Sequence, residues 1–159
     1  MVRDYTFQNC YSLSSVILPD GITDIGGYAF QSCTNLPEIK IPDSVIGIGG
    51  SAFQNCYNLS EIKMPTGVTT VAANTFSNCA TLVNVVFGDV TSIAGGAFSG
   101  NYSVAAYDFS ACKAVPTLSG TSAFQNIPAD CEIRVPAALV DEWKAATNWS
   151  TYADKIVGV

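Results

Sequence analysis

Phe7, Phe30, Phe53 and Phe76 lie 23 residues apart, and Phe98 follows after 22. Cys10, Cys33, Cys56 and Cys79 come three residues after the first four, and Leu13, Leu36, Leu59 and Leu82 three later still. Two apolar positions follow each Leu: Val16 with Leu18, Ile39 with Ile41, Ile62 with Met64, Val85 with Phe87. Pro19, Pro42 and Pro65 close three of these segments. A second apolar pair then recurs (Ile22/Ile25, Val45/Ile48, Val68/Val71, Val90/Ile93), and a small residue precedes each Phe. A period of this length, held over four copies, implies stacked coils, because one unit cannot enclose a core alone while stacked units bury equivalent side chains as ladders.

The spacing also sets local structure. Two apolar residues separated by one other mark a short strand with both pointing inward. Proline ends such a strand because it lacks the N–H of a ladder. The Val-x-x-Ile segment is a second extended or turn-like run. Phe and Cys three apart share a face of a tight turn. Gly26-Gly27, Gly49-Gly50 and Gly95-Gly96 recur at turns or close coil contacts rather than as a phosphate loop.

The unit F-x-x-C-x-x-L-x-x-I-x-I-P-x-x-V-x-x-I-x-x-x-A resembles the 23-residue BspA-like, or Treponema-type, leucine-rich repeat. The resemblance covers roughly residues 5 to 100. It implies a leucine-rich-repeat solenoid: a curved, right-handed coil with a short parallel strand per repeat. It also implies a bacterial cell-surface or secreted setting, or a phage-associated or protist one, and attachment to host proteins or other cells.

The fifth unit departs, with Asn101 at the Cys position and Val104 at the Leu position. Residues 106–110 and 131–136 each offer one more strand. We read residues 1–123 as repeats and 124–159 as a C-terminal cap, needed because a last coil exposes an apolar cross-section. The cap carries a helix over about 137–146, with Leu139, Val140, Trp143 and Ala146 on one face. No cap precedes Phe7, so the chain reads as the C-terminal part of a longer protein. It is expected to be a monomer or to make contacts through that first coil. Residues 1–4 do not open a signal peptide.

Composition narrows the chemistry. There is no histidine, which removes His-based triads and His-containing zinc sites. Seven basic residues against thirteen acidic ones give −6, no footprint for nucleic acid or anionic lipid. No apolar run reaches the roughly 18 residues of a membrane helix. The repeat cysteines lack C-x-x-C spacing and read as a column of buried thiols; Cys112 and Cys131, outside the column, could pair or stay free. Asp141 and Glu142 read as a solvated face, and Asp20 and Asp24 as caps of a turn. No cofactor, metal or catalytic residue is expected, and an enzyme is disfavoured.

That leaves the outward strand positions as the candidate protein-binding face. If Ile39 and Ile41 point in, Glu38 and Lys40 point out, as do Glu61 and Lys63 one coil on. Ser15, Ile17, Asn84 and Val86 occupy the same positions in flanking coils. Ile17 and Val86 are apolar where solvent is expected, and Tyr11 and Tyr57 project near a coil edge. Two functions fit: a binding or adhesion module, with a host extracellular or cell-surface protein or another bacterial cell as partner, and a structural spacer or terminal module of a surface or phage-tail-like protein.

Overall fold

The computed structural model describes residues 1–159. Its coils stack through three walls. One wall holds the two-residue strands β1 (Asp24–Ile25), β2 (Gly47–Ile48), β4 (Thr70–Val71), β6 (Ser92–Ile93) and β8 (Thr117–Leu118). These come from the Val-x-x-Ile segments and pair in parallel as β1–β2 and β4–β6–β8. Val2 bridges to Ile25 and continues the first pair. The second wall holds β3 (Glu61–Lys63), β5 (Asn84–Val86), β7 (Ala106–Asp108), β9 (Glu132–Val135) and β10 (Ile156–Gly158) in one parallel sheet of order β10–β9–β7–β5–β3.

The third wall is the Phe turn. Each Phe N–H donates to the carbonyl of the small residue before the next Phe: Phe30 to Ala52 at 2.8 Å, Phe53 to Thr75 at 2.9 Å, Phe76 to Ala97 at 2.8 Å. The Phe rings stack at 5.0–5.5 Å from Phe7 to Phe98 and on to Phe124. The turn itself needs a left-handed residue before the Cys column. Asn9, Ser32, Asn55 and Asn78 take it at φ 59–61°, and Gly100 at 76°; asparagine and glycine tolerate that region best. The close approach expected of the paired glycines is real at Gly49, where a Cβ would lie 2.5 Å from the Gly27 nitrogen.

The buried residues form one core cluster running the length of the stack. The Cys column sits within it. All six cysteines are free thiols, Cys112 and Cys131 included, and only Cys10 is exposed. The thiols of Cys33, Cys56 and Cys79 donate to the carbonyls of Phe7, Phe30 and Phe53 at 3.1–3.3 Å. Where the column breaks, two changes compensate. Asn101 Oδ1 accepts from the Cys79 N–H at 2.9 Å, and its Nδ2 donates to the hydroxyl of Tyr107 at 3.2 Å. Both side chains are fully buried.

The capping segment contains a 3₁₀ turn at Ala137–Leu139 followed by α1 (Val140–Ala145), so the expected helix over 137–146 is a shorter α-helix behind a tighter turn. Trp143 and Trp149 pack on Phe109, and Trp149 and Tyr152 on Phe124. Trp149 Nε1 donates to the Pro116 carbonyl at 2.7 Å, and Tyr152 donates its hydroxyl proton to Thr121 O. β10 returns to pair with β9, ending the sheet with the chain's own strand.

Burial holds the column thiols neutral. Loss of solvation, the largest cause, pushes Cys33 up to about 11 from 9.0, and Cys79 and Cys131 to about 12. An unfolded chain would release these protons from about pH 9 upward while the folded one holds them, so their contribution is intact below pH 9 and is lost as pH rises through 11 and 12. The urea midpoint should be flat between about pH 7 and 8 and fall steadily above 9. In the native state iodoacetamide should label Cys10 alone, and all six thiols after denaturation. Asn101→Ala strands the Cys79 N–H and the Tyr107 hydroxyl, and should cost about 3 kcal/mol in the same urea titrations.

Candidate binding groove

The wall built from the Leu-x-x-Ile-x-Ile segments is closed from coil three onward and open before it. Coils two, three, four and five are laced at its start: Ser60 N–H donates to Pro37 O at 3.0 Å, Val83 to Ser60 O at 2.8 Å, Ala105 to Val83 O at 2.8 Å. The next rung back would run from residue 37 to Ser14. Residue 37 is proline, which has no N–H to give, and that bond is absent. Beyond it, residues 15–18 and 38–41 make no backbone hydrogen bond at all. The strands expected at Val16–Leu18 and Ile39–Ile41 therefore do not form, although both coils carry paired strands in the β1–β2 wall.

Past the Ser60–Pro37 bond, a second cause keeps the segments of coils two and three from zipping. The repeat register sets Glu38 against Glu61 and Lys40 against Lys63. Zipping the two segments would bring like charges directly opposite each other, which is destabilising in a ladder. None of the four forms an ion pair; the two ion pairs are Lys113–Asp89 and Arg134–Glu132. The four charges thus segregate by rung: acidic at the start of the face, basic at its end.

The result is a groove of about 780 Å³ between the first three coils. Of the eight outward residues expected on the binding face, Ser15, Ile17, Glu38, Lys40, Glu61 and Lys63 line it. Asn84 and Val86 lie outside the groove on β5, continuing the face. The inward partners behave as the alternation requires: Ile39, Ile41 and Ile62 are buried. Ile17 is 94% exposed and Val86 41%, so both apolar residues are at the surface. Tyr11 and Tyr57 are exposed too. Asp20, placed as a turn cap, also lines the groove, and Asp24 falls within β1.

Sequence reasoning missed Pro37 and Ser14. The signal was present in the repeat alignment: Ser14, Ser60 and Val83 can all donate at the position where Pro37 cannot. Pro37→Ser, which restores the residue of the neighbouring coils, should draw coil one onto coil two. Amide exchange of residues 15–18 should slow, and an unchanged exchange rate would show that the missing rung does not hold the wall open.

The BspA type leucine rich repeat region matches residues 1–131 in six copies. No curated protein matches. Among solved structures, a leucine-rich repeat protein from Bacteroides ovatus is 25% identical, with a TM-score of 0.72 over 84% of this chain and 36% of that one. The Treponema pallidum leucine rich repeat protein is 33% identical, with a TM-score of 0.61 over 64% of this chain and 48% of its own. A leucine rich cell surface protein from Faecalibacterium prausnitzii is 26% identical, with a TM-score of 0.66 over 89% and 35%. The chain spans less than half the length of each of these structures. Six repeat copies, parallel-stranded coils and these neighbours together place the chain in the BspA-type leucine-rich repeat family.

Proposed function

We propose that this chain is a non-enzymatic, protein-binding segment of a bacterial cell-surface or secreted protein. The observation that carries the reading is the open wall of coils one to three. There Glu38, Lys40, Glu61 and Lys63 stand free of ion pairs beside the exposed Ile17. A face that combines unpaired charge with exposed apolar surface suits recognition of another protein. The partner class is a host extracellular or cell-surface protein, or a protein on another bacterial cell. The description of the Faecalibacterium neighbour as a cell surface protein supports the setting. Catalysis is the weaker reading because the chain has no histidine and its column thiols are held neutral by burial.

A structural spacer is the second reading, supported by the single apolar core that runs through the whole stack. Binding measurements on the chain separate the two. A panel of purified host extracellular-matrix proteins should include at least one that binds saturably. Lys40→Glu with Lys63→Glu should weaken that binding about tenfold or more. Unchanged binding in the double variant removes the face from the site. No saturable binding to any member favours the spacer.

A further inference from the structure

We infer that the groove face recognises a second copy of this chain, wall to wall, about a two-fold axis that runs along the stack. This rests on the binding-face reading and adds to it the identity of the partner and the geometry of the contact.

Coil two covers the edge of β3: Ser60 N–H donates to Pro37 O at one end, Gly67 lies against Val45 and Ile46 at the other, and Ile39 and Ile41 are buried between. A partner therefore meets side chains here. They stand in two rows along the stack. One row reads Ser15, Glu38, Glu61, Asn84, and the other Ile17, Lys40, Lys63, Val86. All of them are exposed. The rows lie about 6.6 Å apart, two strand residues, and neighbours within a row about 4.8 Å, one coil. Each charge has a like charge beside it in its row, and none of the four has an ion-pair partner within the chain.

A two-fold axis along the stack, between the rows, turns the Glu row of one copy onto the Lys row of the other. Glu38 then meets Lys40 of the second copy, and Lys40 meets Glu38 of the second copy. Glu61 and Lys63 repeat the exchange one coil on. This is the isologous arrangement, in which one residue meets a second and the second meets the first. Ile17 and Val86 close the patch at either end, and the contact removes both from water. The other face-to-face axis, along the strands, would set Glu on Glu and Lys on Lys. Charge thus selects one of the two pairings. The two charged rows cancel, so the chain's −6 opposes the contact only at longer range, which salt screens over about 8 Å. The patch is well short of the roughly 20–30 residues a side of a stable dimer. The contact is therefore weak singly and gains by avidity where many copies share a surface.

Sedimentation equilibrium of the whole chain, taken to about 1 mM, should show a monomer–dimer equilibrium. Two variants test the pairing. E38K/E61K makes both rows basic, and K40E/K63E makes both acidic. All four positions are exposed, so both variants should keep the urea midpoint of the unaltered chain. Each variant alone should remain a monomer. E38K/E61K is the sharper case, because it moves the net charge from −6 to −2 and would associate more readily if overall repulsion were all that mattered. An equimolar mixture of the two should dimerise at least as well as the unaltered chain, although both variants are net acidic. An unaltered chain that stays monomeric at the highest concentration overturns the proposal. So does self-association that E38K/E61K leaves intact, or a mixture that stays monomeric. A host protein that binds through Lys40 and Lys63 to a chain that never dimerises overturns self-recognition and leaves the binding face standing.

Discussion

The coil-to-coil hydrogen bond at the Phe turn governs the rest of this molecule. It fixes neighbouring backbones at one spacing and lets the Phe rings stack beneath it. The small residue before each Phe follows from that spacing, since its carbonyl must reach the Phe N–H of the coil before. The left-handed Asn, Ser or Gly that precedes the Cys column follows as well, because the chain must turn within a few residues. With this wall and the β1–β2 and β4–β6–β8 ladders in place, the remaining wall can vary. It is a zipped sheet in coils three to five and a groove in coils one to three, without loss of the core.

The sequence made the stack legible because each inward position repeats. The Phe column, the Cys column and the alternation around Ile39 and Ile62 could all be assigned from spacing alone. The open wall was harder to read because it depends on relations between coils. Glu38 and Glu61 look unremarkable within their own units, and only the register makes them neighbours. Pro37 acts through a bond that fails to form. Asn101 and Tyr107 show the same difficulty: each breaks the pattern alone, and together they restore it by bonding to each other. In the cap, the spacing of Leu139, Val140 and Trp143 signals a helix, while the tight 3₁₀ start lies below the resolution of a periodicity argument.

The proposed binding face lies where the repeat relaxes. A fully zipped parallel sheet spends its backbone groups on its neighbours and offers only side chains to a partner. In the first two coils residues 15–18 and 38–41 leave their backbone groups unpaired, with charges segregated by rung and an exposed Ile17 beside them. The rest of the chain, with its neutral buried thiols and stacked rings, holds that face in position.

The cap has a consequence for how the stack comes apart. Each coil touches only its neighbours, so stability is a sum of interfaces and loss of structure travels one interface at a time. At one end Trp143, Trp149 and β10 cover the last rings and strand, and Phe124 is buried. Between coils one and two, residue 37 has no N–H to give and one of three walls is unlaced. Opening is therefore unevenly placed along the stack: the wall that lacks a rung at Pro37 parts more easily than the coils sealed by the tryptophans.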